Sequence, residues 1–204
     1  MLNDIEINTL LLDSVVEQKL IMVRGVLADV NESLQLIPIQ DILAVVLISP
    51  AIGIALANGK VSIFEELSLE HKLKFLTRRR SLARTDLAFT AFSVVMGGFD
   101  DLEDMLYDAL KEIVNFSLNK QVEVKELLLK EDLSQMEWNV VAMNAPYFLI
   151  KMLKLIFFID SQSNALEHTV LLIELEKIKS IGQSLELDQM PIFGKFCESF
   201  TLKS

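Results

Sequence analysis

Apolar residues recur three and four positions apart along most of this 204-residue chain, and this spacing restricts the fold more than any other feature. The first example runs from Ile5 to Leu36, where polar side chains fill the positions between the apolar ones. Its apolar members are Leu10, Leu11, Val15, Val16, Leu20, Ile21, Val23, Val26, Leu27 and Val30. This pattern predicts one long amphipathic helix or two helices in succession.

No long part of the chain alternates as a β-strand would, and no Gly/Ser-rich or Pro-rich linker divides it. The seven glycines and four prolines are also too few for a β-sandwich with many turns. We therefore predict an all-α fold of about seven to nine helices in a single domain over residues 1–204. An internal pseudo-twofold repeat would divide it into halves of about residues 1–100 and 101–204.

The longest apolar run covers residues 42–57 and raises the question of membrane insertion. It is shorter than the roughly 20 residues that a spanning helix needs, and Pro50 interrupts it. Pro38 precedes the run as a stop or restart, and Asp41 is a candidate N-cap. The pattern favours a buried core helix, and we predict no transmembrane segment.

Turn and capping residues mark the other helix boundaries. Asn58-Gly59 predicts a turn, because both residue types tolerate positive φ. Ser62 and Glu65 have the spacing of a capping box, so a helix is expected to begin there and to run to about Arg80. Further helices are predicted at 86–97, 100–116, 164–185 and 192–202, with a short helix or connector at 122–133 and an apolar, aromatic segment at 136–159.

The formal net charge of −10 argues against nucleic acid as a partner, since that contact requires Lys and Arg to neutralise phosphates. It also disfavours an anionic membrane surface as the main partner, although peripheral membrane association stays open. Cys197 is the only cysteine, so no disulfide can form within the chain, and we expect it to be buried as a small hydrophobic side chain. A reducing, cytoplasmic location fits this cysteine content and an amino terminus that lacks a signal-peptide pattern.

Residues 55–65 and 157–167 look alike. Each segment has the end of an apolar helix and then a polar turn that begins at Asn58 or at Asp160. A glutamate follows seven positions later, Glu65 in the first segment and Glu167 in the second, and apolar residues at helical spacing come after it. The likeness predicts two copies of one turn-and-helix unit.

This pattern resembles the tellurite-resistance TerB-like family, whose helical repeats carry an apolar helix, an Asp-Gly turn and a Glu seven positions after the Asp. The resemblance covers about a quarter of the chain. It implies a stress-associated helical protein in which the Asp and Glu of each turn bind a divalent cation, here through Asn58, Glu65, Asp160 and Glu167. Asn58 stands in place of the Asp and Ser161 in place of the Gly, so the set holds three carboxylates. Hard cations prefer several such oxygens.

The same residues also have a structural interpretation that needs no metal. Glu65 and Glu167 stand three residues after Ser62 and Asn164, so each has the spacing of a capping box. A carboxylate at that position also faces the positive end of the helix dipole. The sequence leaves both interpretations open, capping alone and capping together with a cation.

Three other groups of residues have a structural and a functional interpretation. An acidic cluster could bind a cation or a basic partner, or could simply form the first turns of a helix: Asp100, Asp101, Glu103, Asp104 and Asp108. His71 and His168 have no zinc-binding spacing. Several aromatic residues could line a pocket between helices or belong to the core: Trp138, Tyr147, Phe148, Phe157 and Phe158.

The chain shows no recognisable catalytic constellation, so we favour a non-enzymatic function. The leading hypothesis is a TerB-like helical module that acts as a stress-associated or metal-responsive interaction protein, with a protein partner or a second copy of itself. One alternative is a small-ligand-binding or enzymatic protein that uses an aromatic-lined cavity between helices. Another is a scaffold that docks a partner through an apolar surface.

Overall fold

Helices form almost all of the chain that the computed structural model describes, which comprises residues 4–77, 86–119 and 168–203. In chain order the elements are α1 (Asp4–Leu11), α2 (Ser14–Val30), a 3-10 helix (Glu32–Leu36), α3 (Ile39–Leu56), α4 (Ile63–Leu76), α5 (Leu87–Gly97), α6 (Phe99–Asn119), β1 (His168–Val170), α7 (Leu172–Ser184), α8 (Pro191–Glu198) and β2 (Phe200–Leu202). Within these ranges the only strands are one short pair, so the all-α prediction is confirmed. The segments predicted at 122–133 and 136–159, with their aromatic residues, lie outside the described residues.

The amino-terminal periodic stretch forms two helices in succession rather than one. α2 begins at Ser14 because Asp13 caps it: the Asp13 carboxylate accepts hydrogen bonds from the N–H groups of Val15 and Val16, at 3.0 and 3.1 Å. The buried side of α2 carries Val16, Leu20, Val23, Leu27 and Ala28. This side packs against α3 and α6.

α3 is the core of the fold. It contacts α2, α4, α5, α6 and α7, and every residue from Asp41 to Ala55 is buried. The prediction of a buried core helix is therefore confirmed. Among the described helices α3 alone is long and apolar enough to cross a membrane, yet 83% of it lies inside the protein. A helix covered on all sides is apolar all round for that reason.

Pro50 lies inside α3 and does not interrupt it, so this part of the prediction is wrong. Proline has no N–H group, and the carbonyl of Val46, four residues earlier, therefore loses its usual helical donor. The Ser49 hydroxyl donates a hydrogen bond to that carbonyl instead, at 2.8 Å. Because Val46 and Ser49 are both fully buried, this bond satisfies a group that water cannot reach.

The prediction of Asp41 as the N-cap of α3 is also wrong. The helix begins at Ile39, and its N-cap is Pro38, which offers no side-chain hydrogen bond. The Pro38 carbonyl accepts hydrogen bonds from the N–H groups of Asp41 and Ile42, at 2.9 and 3.2 Å. Ile39 packs against the core, so burial of this side chain extends the helix beyond the polar residue that the capping rule favours.

The boundaries of α4 and α5 follow the predicted capping residues, with one difference. Ser62 caps α4 as expected, but the helix ends at Leu76 instead of near Arg80. Thr77 is its C-cap, and the Thr77 hydroxyl donates to the Leu73 carbonyl at 2.9 Å. Asp86 caps α5, and Gly98 ends it, as predicted.

The carboxy-terminal residues depart most from the predicted helices. The helix expected over 164–185 begins only at Leu172, after β1, and the helix expected over 192–202 ends at Glu198, before β2. The two strands pair in parallel, with register His168↔Phe200, Thr169↔Thr201 and Val170↔Leu202. Strands of three residues contain too little alternation for a sequence pattern to reveal them.

Candidate functional site

Asn58 and Glu65, the two predicted cation ligands in the first half of the chain, each accept hydrogen bonds from nearby polar groups. The Asn58 side-chain oxygen accepts a hydrogen bond from the Lys60 N–H at 3.0 Å, in a turn where Gly59 has φ +77°. The Glu65 carboxylate accepts from the N–H and the hydroxyl of Ser62, at 2.7 and 2.6 Å. The Ser62 oxygen in turn accepts from the Glu65 N–H at 3.2 Å. The predicted turn and capping box are therefore both present.

The other two predicted ligands, Asp160 and Glu167, lie outside the described residues, as does the expected cap Asn164. The positions that follow them can still be compared between the two similar segments. Residues 66–68 lie inside α4, whereas the corresponding residues 168–170 form β1. The likeness in sequence is thus not matched by a common helix at these positions.

No group of three or more His, Cys, Asp or Glu side chains in the described part of the chain could hold a metal ion. His71 is exposed on α4, and His168 begins β1. The two histidines that the sequence singles out therefore lie on different kinds of element.

Residues of the acidic cluster at the start of α6 form ion pairs with two other helices. Glu103 pairs with Lys177 of α7 at 2.6 Å, and Asp108 pairs with Lys19 of α2. The hydrogen bond to Asp108 raises the pKa of Lys19, so that amine stays charged. Farther along α6, Lys111 pairs with Glu186 at 2.6 Å. Two of the five acidic residues are therefore used in contacts between helices.

An open groove of about 410 Å³ lies where the end of α3, the start of α6 and α7 meet. Its lining residues are Gly53, Leu56, Ala57, Phe99, Asp100, Ile173, Glu176, Lys177 and Ser180. Lys177 lies 6.0 Å from the centre of the Phe99 ring, and Glu103 neutralises its charge. The volume is within the range of small-molecule sites, so the groove is a candidate ligand site.

Tyr107 is a buried polar residue beside this groove. Its ring meets Phe99 edge-on at 6.2 Å, and a Cβ atom on Gly53 would lie 2.5 Å from its hydroxyl oxygen. Only 2% of Tyr107 is exposed, and its hydroxyl makes no hydrogen bond with the described residues. Burial, assisted by the nearby Glu103 carboxylate, raises the pKa of Tyr107, so the side chain remains a neutral phenol. Tyr107 belongs to the contact between α3 and α6.

Cys197 is buried in α8, with 8% of its surface exposed. Burial raises the pKa of the thiol. A nucleophilic cysteine needs the opposite shift, because the thiolate is the reactive form. The prediction that Cys197 packs as a small hydrophobic side chain is confirmed.

α4 is apolar on two opposite sides. One side carries Leu69 and Leu73, which are buried in the core. The opposite side carries four exposed residues at helical spacing, which we refer to as the α4 stripe: Phe64, Leu67, His71 and Phe75. The three apolar members are 85%, 55% and 42% exposed, in chain order. Contiguous exposed apolar patches are typical of protein or membrane interaction sites, so the α4 stripe is a candidate interaction surface.

The α4 stripe was not predicted, although the sequence contains a signal for it. In the repeat comparison Leu67 and Phe75 belong to one apolar set with Leu69, Leu73 and Leu76. A helical projection separates them, because residues 69, 73 and 76 occupy one side and residues 67 and 75 the other. Apolar residues on both sides of a helix indicate that it has two contact surfaces.

Comparison with protein-family models, with curated proteins and with solved structures finds no match to this chain.

Proposed function

We propose that this protein is a non-enzymatic interaction module that binds another protein chain through the α4 stripe. The observation that carries the proposal is a helix with two apolar sides, of which the fold covers one. Burial of a Phe or Leu side chain contributes about 1.5–3 kcal/mol, so a partner that covers Phe64, Leu67 and Phe75 gains a useful part of its binding energy there.

A second exposed apolar line on α2 is less suited to this role. It consists of Val15, Met22, Val26 and Val30. Lys19 lies among these residues and pairs with Asp108 of α6, so an ion pair interrupts the apolar surface. Aromatic residues dominate binding energies at interfaces, whereas valine is under-represented there. The two phenylalanines therefore favour the stripe on α4.

Site-specific photo-crosslinking in cells tests the proposal. A benzoylphenylalanine placed at position 64 is expected to form a discrete protein adduct. The matched control at Leu36, which is 82% exposed in the 3-10 helix, is expected to form none. The adduct should disappear when His71→Glu places a charge in the middle of the stripe. Equal labelling from positions 64 and 36 would contradict the proposal.

The TerB-like resemblance extends the proposal to a stress-associated, metal-responsive module in a reducing, cytoplasmic setting. Calorimetric titration with Ca²⁺, Mg²⁺ or Zn²⁺ tests the metal. Binding heat that is lost in Asp160→Ala and Glu167→Ala but retained in Ser62→Ala would support a cation, because the last change affects only the cap. An absence of heat with all three ions would leave the interaction module without metal control.

Small-ligand binding in the groove is a second candidate function, and the groove volume of about 410 Å³ favours it. Titration with the neutral apolar dye Nile red separates the two candidates. Ser180→Phe would fill the groove, and Phe64→Ser would remove an apolar ring from the stripe. Loss of dye fluorescence only in Ser180→Phe supports a ligand site, and loss only in Phe64→Ser supports the stripe.

A further inference from the structure

Three members of the α4 stripe are arranged symmetrically about its histidine, whereas Phe64 has no counterpart because α4 ends at Leu76. Leu67 and Phe75 each lie four residues from His71, on the same side of the helix. If two such helices cross antiparallel with His71 at the centre, Leu67 of each copy faces Phe75 of the other. The two imidazole rings then meet, and the N–H of one ring can donate a hydrogen bond to the unprotonated nitrogen of the other. The apolar pattern is therefore complementary to itself.

The charges beside the stripe have the same property. Glu70 and Lys74 lie on one flank of α4, 3.9 Å apart and four residues from each other. A twofold axis brings the same flank of both helices together in opposite directions. The acid of one copy then lies within about two residues, or roughly 3 Å along the axis, of the base of the other. The two acids are equally far apart, so two attractive pairs oppose one repulsive pair. In a parallel pair the twofold axis runs along the helices and places the two flanks on opposite sides of the interface, so these charges do not meet.

From this self-complementarity we infer that the partner of the α4 stripe is a second copy of this chain, bound antiparallel about a twofold axis through His71. The inference rests on the proposed function, which requires only that some protein bind the stripe. One helix per copy makes a small interface, and each chain carries a net charge of −10. The dimer is therefore weak, with a dissociation constant on the order of micromolar.

Charge reversal on the flank provides a test that depends little on the exact register. Glu70→Lys gives a copy with two bases on the flank, and Lys74→Glu gives a copy with two acids. Each variant alone places like charges opposite each other, so its dimer should weaken by about tenfold or more. In an equimolar mixture the acidic flank meets the basic flank, and a heterodimer at least as tight as the wild type is expected.

Sedimentation equilibrium at roughly 1 to 100 µM, with native mass spectrometry of the mixture, measures these outcomes. Loss of the partly exposed intrahelical pair costs little stability, and circular dichroism verifies that both variants stay folded. His71→Leu should tighten the dimer and His71→Glu should abolish it. A wild-type chain that stays monomeric over the whole range, or a mixture no tighter than its components, overturns the inference.

The crosslinking experiment at position 64 separates failure of the inference from failure of the proposed function. An adduct with twice the chain mass supports self-association. A monomeric chain that forms an adduct with a different protein overturns the antiparallel dimer and leaves the interaction module intact. A crosslink only within one chain, to residues 120–167 for example, overturns both.

Discussion

At the scale of single residues, the Glu65 carboxylate completes the capping box at the start of α4. It accepts hydrogen bonds from the N–H and the hydroxyl of Ser62. Glu66, the next residue, lies in the same first turn and near the same positive end of the helix dipole, but outside the capping box. The two glutamates therefore separate the effect of capping from the effect of charge.

Glu65→Ala should lower the free energy of unfolding by about 1 kcal/mol more than Glu66→Ala does. Both changes remove a favourable charge from the first turn, but only the first leaves the Ser62 N–H without its partner. Urea unfolding of the two variants beside the wild type gives the difference. Equal losses of unfolding free energy in the two variants would show that the capping box contributes nothing beyond the charge of Glu65.

Tyr107 is the residue whose substitution should increase stability. Its buried hydroxyl has no hydrogen bond in the described structure, so Tyr107→Phe should raise the free energy of unfolding at neutral pH by about 1–2 kcal/mol. Burial raises the pKa of Tyr107, whereas the unfolded phenol titrates at about 10. The wild type should therefore lose stability as pH rises above about 10, and the variant should lose less. Parallel stability curves between neutral and alkaline pH would contradict this assignment.

At the scale of elements, α3 continues through a proline because a neighbouring hydroxyl replaces the missing donor. Ser49→Ala should cost about 1–3 kcal/mol, since the Val46 carbonyl then lacks a partner in the core. In the double variant with Pro50→Ala, residue 50 regains an N–H for that carbonyl, and most of the loss should be recovered. A double-mutant cycle in urea measures this coupling, and strictly additive effects would disprove it.

The elements also show which structural features a sequence can specify locally. Asp86 and the Ser62–Glu65 pair were predictable because a cap depends only on the next few residues. The start of α3 was not, because packing of Ile39 against distant helices outweighs the polar cap that Asp41 offers. β1 and β2 were missed for a similar reason, since each exists only through its pairing with the other.

The candidate site was harder to predict than the fold. Asn58 and Glu65 were correctly placed at a turn and a cap, and their role as metal ligands stays a prediction. The α4 stripe escaped notice because burial is decided in three dimensions. Leu69 and Phe75 have the same apolar character in sequence, yet one lies in the core and the other is exposed.

At the scale of the whole molecule, two ion pairs attach the described carboxy-terminal part to α6. Lys177 of α7 pairs with Glu103, and Lys111 of α6 pairs with Glu186, each at 2.6 Å. Cys197 lies buried in that carboxy-terminal part. Its thiol can react with a reagent only after this part of the chain opens, so the reaction rate measures the opening. A third ion pair, between Lys19 of α2 and Asp108 of α6, does not involve this part of the chain.

The double variant Lys111→Met, Lys177→Met should speed the reaction of the Cys197 thiol with a disulfide reagent by about fivefold. Two partly exposed pairs make a modest contribution to closure, because solvent screens their attraction, and methionine retains the packing of the lysine stem. Lys19→Met serves as the control and should leave the rate unchanged. Equal acceleration by both variants would show that the thiol reacts through global unfolding.

The central place of α3 has a further consequence for synthesis. α2 precedes it, but the other helices that cover it, α4, α5, α6 and α7, are translated later. A growing chain therefore presents an 18-residue apolar helix that only α2 can cover until α4 is complete at Leu76, and its cover from α7 (Leu172–Ser184) is synthesised last. During that interval the helix has the length and hydropathy by which a membrane anchor is selected. A pause in translation between α3 and α6 would thus expose the nascent protein to mistargeting and aggregation.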